Sequence, residues 1–174
     1  MKKFTTLLMA AAALFMVACG GNTQKKDGEC CGGCEGKLPI ALQLYTVRGD
    51  MEQDFKGTLQ KVKDMGYDGV EFAGLFGKTG VEVKAICDEI GIVPVSAHVP
   101  YYDMLENPKA VLQDYKDMGC KYVVVPYLTE ECRPGTDGWS ATVEGIGKIG
   151  AAAKEMGLQL LYHNHDFEFL KIDG

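Results

Sequence analysis

From residue 38 onward the apolar positions fall into two alternating rhythms. Residues 55–65, 81–90, 108–118 and roughly 140–156 place apolar side chains three and four apart, the spacing of an amphipathic helix. Between them, residues 40–46, 67–72, 92–97, 120–125 and 158–162 are short runs rich in Val, Ile, Leu and Tyr, as expected for strands buried on both faces. Each helical segment ends in a similar phrase: Lys63-Asp64-Met65-Gly66, Asp88-Glu89-Ile90-Gly91, Lys116-Asp117-Met118-Gly119 and Lys154-Glu155-Met156-Gly157. Helices often stop on a left-handed residue just past the last turn, a conformation that glycine adopts without steric penalty. The repeated phrase predicts five strands alternating with four helices, hence βαβ units and a parallel sheet.

Two architectures fit the 137 residues from Leu38 to Gly174. One is the first five-eighths of a parallel (β/α)8 TIM barrel, whose full form takes about 250 residues. The other is a complete five-stranded flavodoxin-like sheet. After the first strand stands Tyr45-Thr46-Val47-Arg48-Gly49-Asp50, not the Gly-rich phosphate loop of a nucleotide-binding sheet. Only a short acidic and aromatic loop follows the fifth strand before Gly174, so the barrel is expected to be incomplete in this chain.

Residues 1–18 read as an export signal. Lys2 and Lys3 precede an apolar run of 11 residues from Leu7 to Val17, short of the roughly 20 that span a bilayer. Val17-Ala18-Cys19 then resembles a bacterial lipoprotein signal, in which Cys19 is lipidated and becomes the first mature residue; an ordinary secretory signal is the alternative. The expected location is periplasm-facing and membrane-anchored. Residues 19–37 form a Cys- and Gly-rich tether, leaving 38–174 as the partial barrel domain. The tether contains Cys30-Cys31-Gly32-Gly33-Cys34, whose C-x-x-C spacing could chelate a soft metal or form a disulfide. No second pair lies nearby, since Cys87, Cys120 and Cys132 are scattered singly, and export favours a disulfide or an incidental role.

Charge narrows the partners. The chain has 18 Lys+Arg against 24 Asp+Glu, a net charge of −6 that becomes −8 once Lys2 and Lys3 are removed. With no basic block, a nucleic-acid partner is not expected.

In either architecture a ligand lies at the carboxyl ends of the strands. Those ends carry Gln43, Tyr45 and Arg48 on the first strand, Glu71 on the second, His98 on the third and Tyr127 on the fourth. The fifth carries Tyr162-His163-Asn164-His165-Asp166-Phe167-Glu168, so all three histidines of the chain fall at strand ends. His163 and His165, two apart, project to the same side of a strand and could bind a divalent metal; alternatively one is a packed core group and the other a loop residue. His98 is either a site residue or a hydrogen-bonded structural histidine. Glu71 is a carboxylate in an apolar strand and needs a partner: a metal, a substrate hydroxyl or Arg48 at the neighbouring strand end. Glu168 is a site acid or an exposed loop acid. Residues 126–139, with Arg133 and Trp139, form a long loop suited to a lid or substrate wall, where Trp139 stacks on a sugar ring or anchors the packing. No G-x-S-x-G elbow, Walker loop or G-x-G-x-x-G fingerprint occurs, which disfavours serine hydrolases, nucleotide hydrolases and nicotinamide dehydrogenases.

Ile40-Ala41-Leu42-Gln43-Leu44-Tyr45-Thr46-Val47-Arg48, Gly66-Tyr67-Asp68-Gly69-Val70-Glu71-Phe72, Ser96-Ala97-His98-Val99 and the stretch from Tyr162 to Phe169 together resemble the sugar phosphate isomerase/epimerase family of xylose isomerase-like TIM barrels. The resemblance implies an isomerase, epimerase or lyase acting on a sugar, keto-sugar or cyclitol. It implies a divalent cofactor (Mn, Co, Mg or Zn) that holds a carbonyl and its neighbouring hydroxyl while a carboxylate removes the proton between them, giving a metal-stabilised enediolate. By position it marks Glu71, His98 and Glu168 as catalytic, and Gln43, Tyr45, Arg48, Tyr127, Trp139 and Asn164 as substrate-binding. His163 and His165 become metal ligands. Members commonly use a Glu as first ligand where this chain has His163-Asn164-His165, and their other ligands come from later strands.

Two other classes stay open. One is a small non-catalytic sugar-binding lipoprotein, which need not lose its ligand to a chelator. The other is a thiol- or metal-handling lipoprotein that depends on Cys30, Cys31 and Cys34.

Overall fold

A computed structural model describes residues 38–172. The export signal, Cys19 and the tether cysteines lie outside the described residues. Five strands, β1 Ala41–Gln43, β2 Gly69–Phe72, β3 Val93–His98, β4 Tyr122–Val125 and β5 Gln159–Tyr162, form one sheet in the order 1-2-3-4-5. Every neighbouring pair is parallel. A flavodoxin-like sheet reverses its strand order at a switch point. The consecutive order has no reversal, so the architecture is the partial (β/α)8 barrel, with the sheet still open.

Among the described residues six α-helices accompany the strands: α1 Arg48–Gln53, α2 Phe55–Asp64, α3 Gly80–Ile90, α4 Tyr101–Leu105, α5 Pro108–Asp117 and α6 Trp139–Glu155. The four long ones are those expected from periodicity. Gly66, Gly91, Gly119 and Gly157, which follow them, all have positive φ, between 73° and 95°. Caps also match local chemistry: Thr79 and Glu82 form a reciprocal capping box at α3, and Asn107 accepts from the Ala110 N–H before Pro108 at α5. Among the described residues no helix is long and apolar enough to cross a membrane.

The expected first strand, 40–46, is corrected. It ends at Gln43, whose side-chain oxygen accepts from the Tyr45 N–H and turns the chain into a 3-10 turn, Leu44–Val47, that runs into α1. α1 and α4 have too few residues for a periodic signal.

Register sorts the side chains. Val70, Phe72, Ala97, Val123 and Val125 face the helices and are at most 1% exposed. With Leu44, Leu59, Val83, Leu112, Met118 and Ile149 they form the core, each large apolar side chain contributing about 1.5–3 kcal/mol. The opposite, open face carries the polar strand residues. Gln43 pairs with Glu71, Glu71 with Ser96, and His98 with Val124. One irregularity makes this possible: Val70 pairs with Pro94 but Glu71 pairs with Ser96, so β3 holds an extra residue, Val95, at a bulge. Because side chains alternate with period two, that residue turns Ser96 and His98 onto the face of Glu71.

Candidate active site

Glu71 is the centre of the polar face. Its Oε2 accepts a 2.6 Å hydrogen bond from the Ser96 hydroxyl, and its Oε1 lies 2.9 Å from His98 Nε2. Those two side chains, not Arg48, answer its need for a partner. Arg48 instead stacks its guanidinium 4.2 Å over the Tyr45 ring and donates to the Tyr45 carbonyl. Burial pushes the Glu71 carboxyl up, but His98, the Ser96 hydroxyl and the neighbouring His163 outweigh it and hold the group below its ordinary value of 4.5. Glu71 is therefore ionised at neutral pH while its side chain is only 21% exposed.

His98 joins this carboxylate to a cleft of about 570 Å³ lined by Gln43, Tyr45, Thr46, His98, Pro126, Tyr127, His163 and His165. That volume suits a small ligand. Glu71 is not part of its wall and reaches it through His98. The three imidazoles run in sequence along the cleft, His98 to His163 at 5.1 Å between ring centroids and His163 to His165 at 5.0 Å. His163 lies one residue past β5 and continues its ladder by donating its N–H to the Val125 carbonyl. Beyond it the Tyr127 ring meets His165 edge-on, and His165 stacks on Phe167.

The donor set gives half a metal site. His163 and His165 are adjacent as expected, and among the described residues the buried His165 Nδ1 has no hydrogen-bond partner. Among the described residues, however, no group of three or more His, Cys, Asp or Glu side chains converges on one point. A divalent ion needs at least a third protein ligand, so the residues present do not by themselves fit one.

The remaining expected residues divide. Tyr45 and Tyr127 reach the cleft wall, and Arg48 stands beside Tyr45 in a second, more open depression next to it. Glu168 does not line the cleft: its carboxylate accepts from the Tyr162 hydroxyl and, at 2.7 Å, from the His165 N–H, closing the loop after β5. Burial and the Glu168 carboxylate push the Tyr162 phenol up. Asn164 is exposed and donates to the neighbouring His165 carbonyl. Trp139, half-buried at the start of α6, packs against the core.

Two residues go beyond the expected set. Ser96 could have been found as a second polar residue among apolar strand positions, a natural partner for Glu71. Arg133 places its guanidinium 3.7 Å over the Phe167 ring and also contacts Tyr127, which buttresses the His165 side of the cleft. Only the tertiary structure brings those together.

Residues 59–173 match the family model of the xylose isomerase-like TIM barrel. No match exists among the curated proteins. Among solved structures, a sugar phosphate isomerase/epimerase from Parabacteroides distasonis superposes with a TM-score of 0.67 at 20% identity, covering 82% of this chain and 56% of that one. The 3-keto-D-glucoside 4-epimerase YcjR from E. coli gives 0.52 at 19% identity, over 72% and 56%. An IolI protein with a bound zinc atom gives 0.57 at 16%, over 72% and 51%. The chain thus spans about half the length of each of these three structures. Strand order, open polar face and family match agree, and the chain belongs to the xylose isomerase-like TIM barrel family.

Proposed function

We propose that this chain contributes the proton-transfer half of a sugar isomerase or epimerase, with Glu71, which stands behind His98 at the edge of the cleft, as general base for a carbon-bound proton next to a carbonyl once substrate displaces the loose His98 contact. One observation carries the reading: an ionised, half-buried carboxylate held by Ser96 and His98 beside a cleft walled by three imidazoles. Such a carboxylate has little water to displace, and its charge is directed by the Ser96 hydrogen bond and the His98 contact. Tyr45 and Tyr127 offer ring faces and hydroxyls to a sugar. His163 and His165 would supply two ligands toward the divalent ion of the resemblance. The ketosugar chemistry of the epimerase relative makes keto-sugars the first substrates to try.

The test is solvent deuterium exchange into a panel of keto-sugars, followed by proton NMR. Exchange should appear at the carbon beside the carbonyl and fall about 100-fold or more in Glu71→Gln. Exchange that survives Glu71→Gln overturns the assignment of the base. Sugar binding by calorimetry with no exchange at all favours the non-catalytic binder instead.

We also propose that the domain is exported and anchored through lipid on Cys19. Mass spectrometry of the mature N-terminal peptide should find Cys19 first and lipid-modified, and Cys19→Ser should release the protein from membranes. An unmodified N-terminus elsewhere overturns this.

A further inference from the structure

Gln43 touches both the backbone and His98, and the direction of each bond can be worked out. The Tyr45 backbone N–H can only donate, so its partner at 2.7 Å on Gln43 is the amide oxygen. That orients the amide nitrogen, which can only donate, toward His98 Nδ1 at 3.2 Å. His98 Nδ1 must then present a lone pair. A neutral imidazole with its lone pair on Nδ1 carries its proton on Nε2.

The other end of the ring demands the same arrangement. Nε2 lies 2.9 Å from a carboxylate oxygen of Glu71, which only accepts when ionised. The opposite tautomer would set N–H against N–H at Gln43 and lone pair against lone pair at Glu71. The Nε2 contact is bent, for among the described residues Nε2 has no well-aligned acceptor although it is buried. Glu71 alone therefore holds the ring's proton loosely, and the Gln43 amide has a task at the far side.

We propose that Gln43 is a positioning residue: anchored by the Tyr45 N–H, it fixes the tautomer of His98 so that the Nε2 proton faces Glu71. The 3-10 turn after β1 is part of the device, because the bond that ends the strand also orients the amide. Gln43 thus acts on Glu71 through His98, besides any contact it makes with substrate. The tautomer assignment stands on geometry alone; its catalytic consequence rests on the reading of Glu71 as base.

Long-range proton–nitrogen correlation spectra of the 15N-labelled full chain test it directly. The chain has only three histidines, so His163→Gln and His165→Gln variants assign the His98 ring. Wild-type His98 should give an unprotonated Nδ1 and a protonated Nε2 at neutral pH. Gln43→Glu keeps the size and the bond to the Tyr45 N–H but replaces the donor with an acceptor, so Nδ1 should move to the protonated region. A protonated Nδ1 in the wild type overturns the proposal, as does an unprotonated Nδ1 in a folded Gln43→Glu. Should that variant fail to fold, Gln43→Met, which keeps the length and removes the donor, takes its place: an Nδ1 and Nε2 pattern identical to the wild type overturns the proposal. Failure of the lock and failure of the base are separable: the first is read in the wild-type spectrum without substrate, the second in the deuterium exchange of Glu71→Gln.

Discussion

Ser96→Ala is the sharpest probe of how the Glu71 carboxylate is held. Ser96 is 6% exposed and donates the 2.6 Å bond to Glu71 Oε2. Hydrogen bonds to charged groups contribute about 1.5–3 kcal/mol. Glu71 is partly open to water, which can replace some of the lost bond, so the expected loss is discounted to about 1–2 kcal/mol at pH 7. If the loss falls on the ionised form, the Glu71 pKa rises back toward its ordinary value, because the Ser96 hydroxyl is one of the groups that hold it down. The sign follows from linkage: a carboxyl lowered on folding stabilises fully above its unfolded value and loses that contribution as pH falls through the folded one. The destabilisation by Ser96→Ala should therefore be full above pH 4.5 and shrink below it. Urea denaturation of wild type and variant at several pH values, with unchanged m, reads this. A loss that stays constant through the acid range refutes the reasoning, because the hydroxyl would then not be bonded to an ionised carboxylate.

Two further outcomes follow from packing and burial. A Cβ on Gly145 would sit 2.3 Å from the Tyr101 hydroxyl and 2.8 Å from Leu105 Cδ2, whereas one on Gly147, in the same helix, meets nothing within 4 Å. Gly145→Ala should cost about 1–3 kcal/mol by overpacking and Gly147→Ala should stabilise by about 0.5–1 kcal/mol, both measured by denaturation; the same sign for both would refute the packing around α6. Burial pushes the Cys87 thiol up to about 11 and Cys120 up to about 12, while at Cys132 burial is outweighed by the hydroxyls of Tyr102, Thr142 and Thr129, which lower it. Peptide mapping after alkylation at pH 8 should find Cys132 modified at least about 100-fold faster than the other two, in line with thiolate fraction; equal rates would refute that order.

Much of the scaffold was legible because its signals are local. The glycine after each long helix is demanded by a left-handed backbone, and the strands declare themselves as apolar runs. Glu71 was legible as a group in need of a partner, since an isolated buried carboxylate is too costly to keep. The identity of the partner was not: a metal, a substrate hydroxyl and Arg48 were the candidates, and the path after β1 carries Arg48 onto Tyr45 instead. That path turns on Gln43, a single side chain bonding back to the Tyr45 N–H, for which no periodicity exists. Glu168 and Trp139 stood at apt positions in sequence, yet loop closure and core packing claim their side chains.

The bulge in β3 is the least legible feature and the one on which the site depends. Strict alternation from Val93 would send Ser96 and His98 into the helix layer, among Val70 and Phe72, and leave Glu71 without either partner. The extra residue reverses that, so the two halves of β3 are out of phase. Phase also predicts which deletion the strand tolerates. Removing Val95 takes out the residue that has no partner on β2, leaving Pro94 opposite Val70 and Ser96 opposite Glu71; the losses are the 3.1 Å bond from the Lys121 N–H to the Val95 carbonyl and the Val95 side-chain contacts, about 1–3 kcal/mol in all. Removing Ala97 instead carries His98 onto the buried face, where its imidazole meets neither Gln43 nor Glu71, and should unfold the domain or cost well over 3 kcal/mol. Urea denaturation of the two deletion variants compares them directly, and equal losses would mean that the phase shift at Val95 is not what sets Ser96 and His98 beside Glu71.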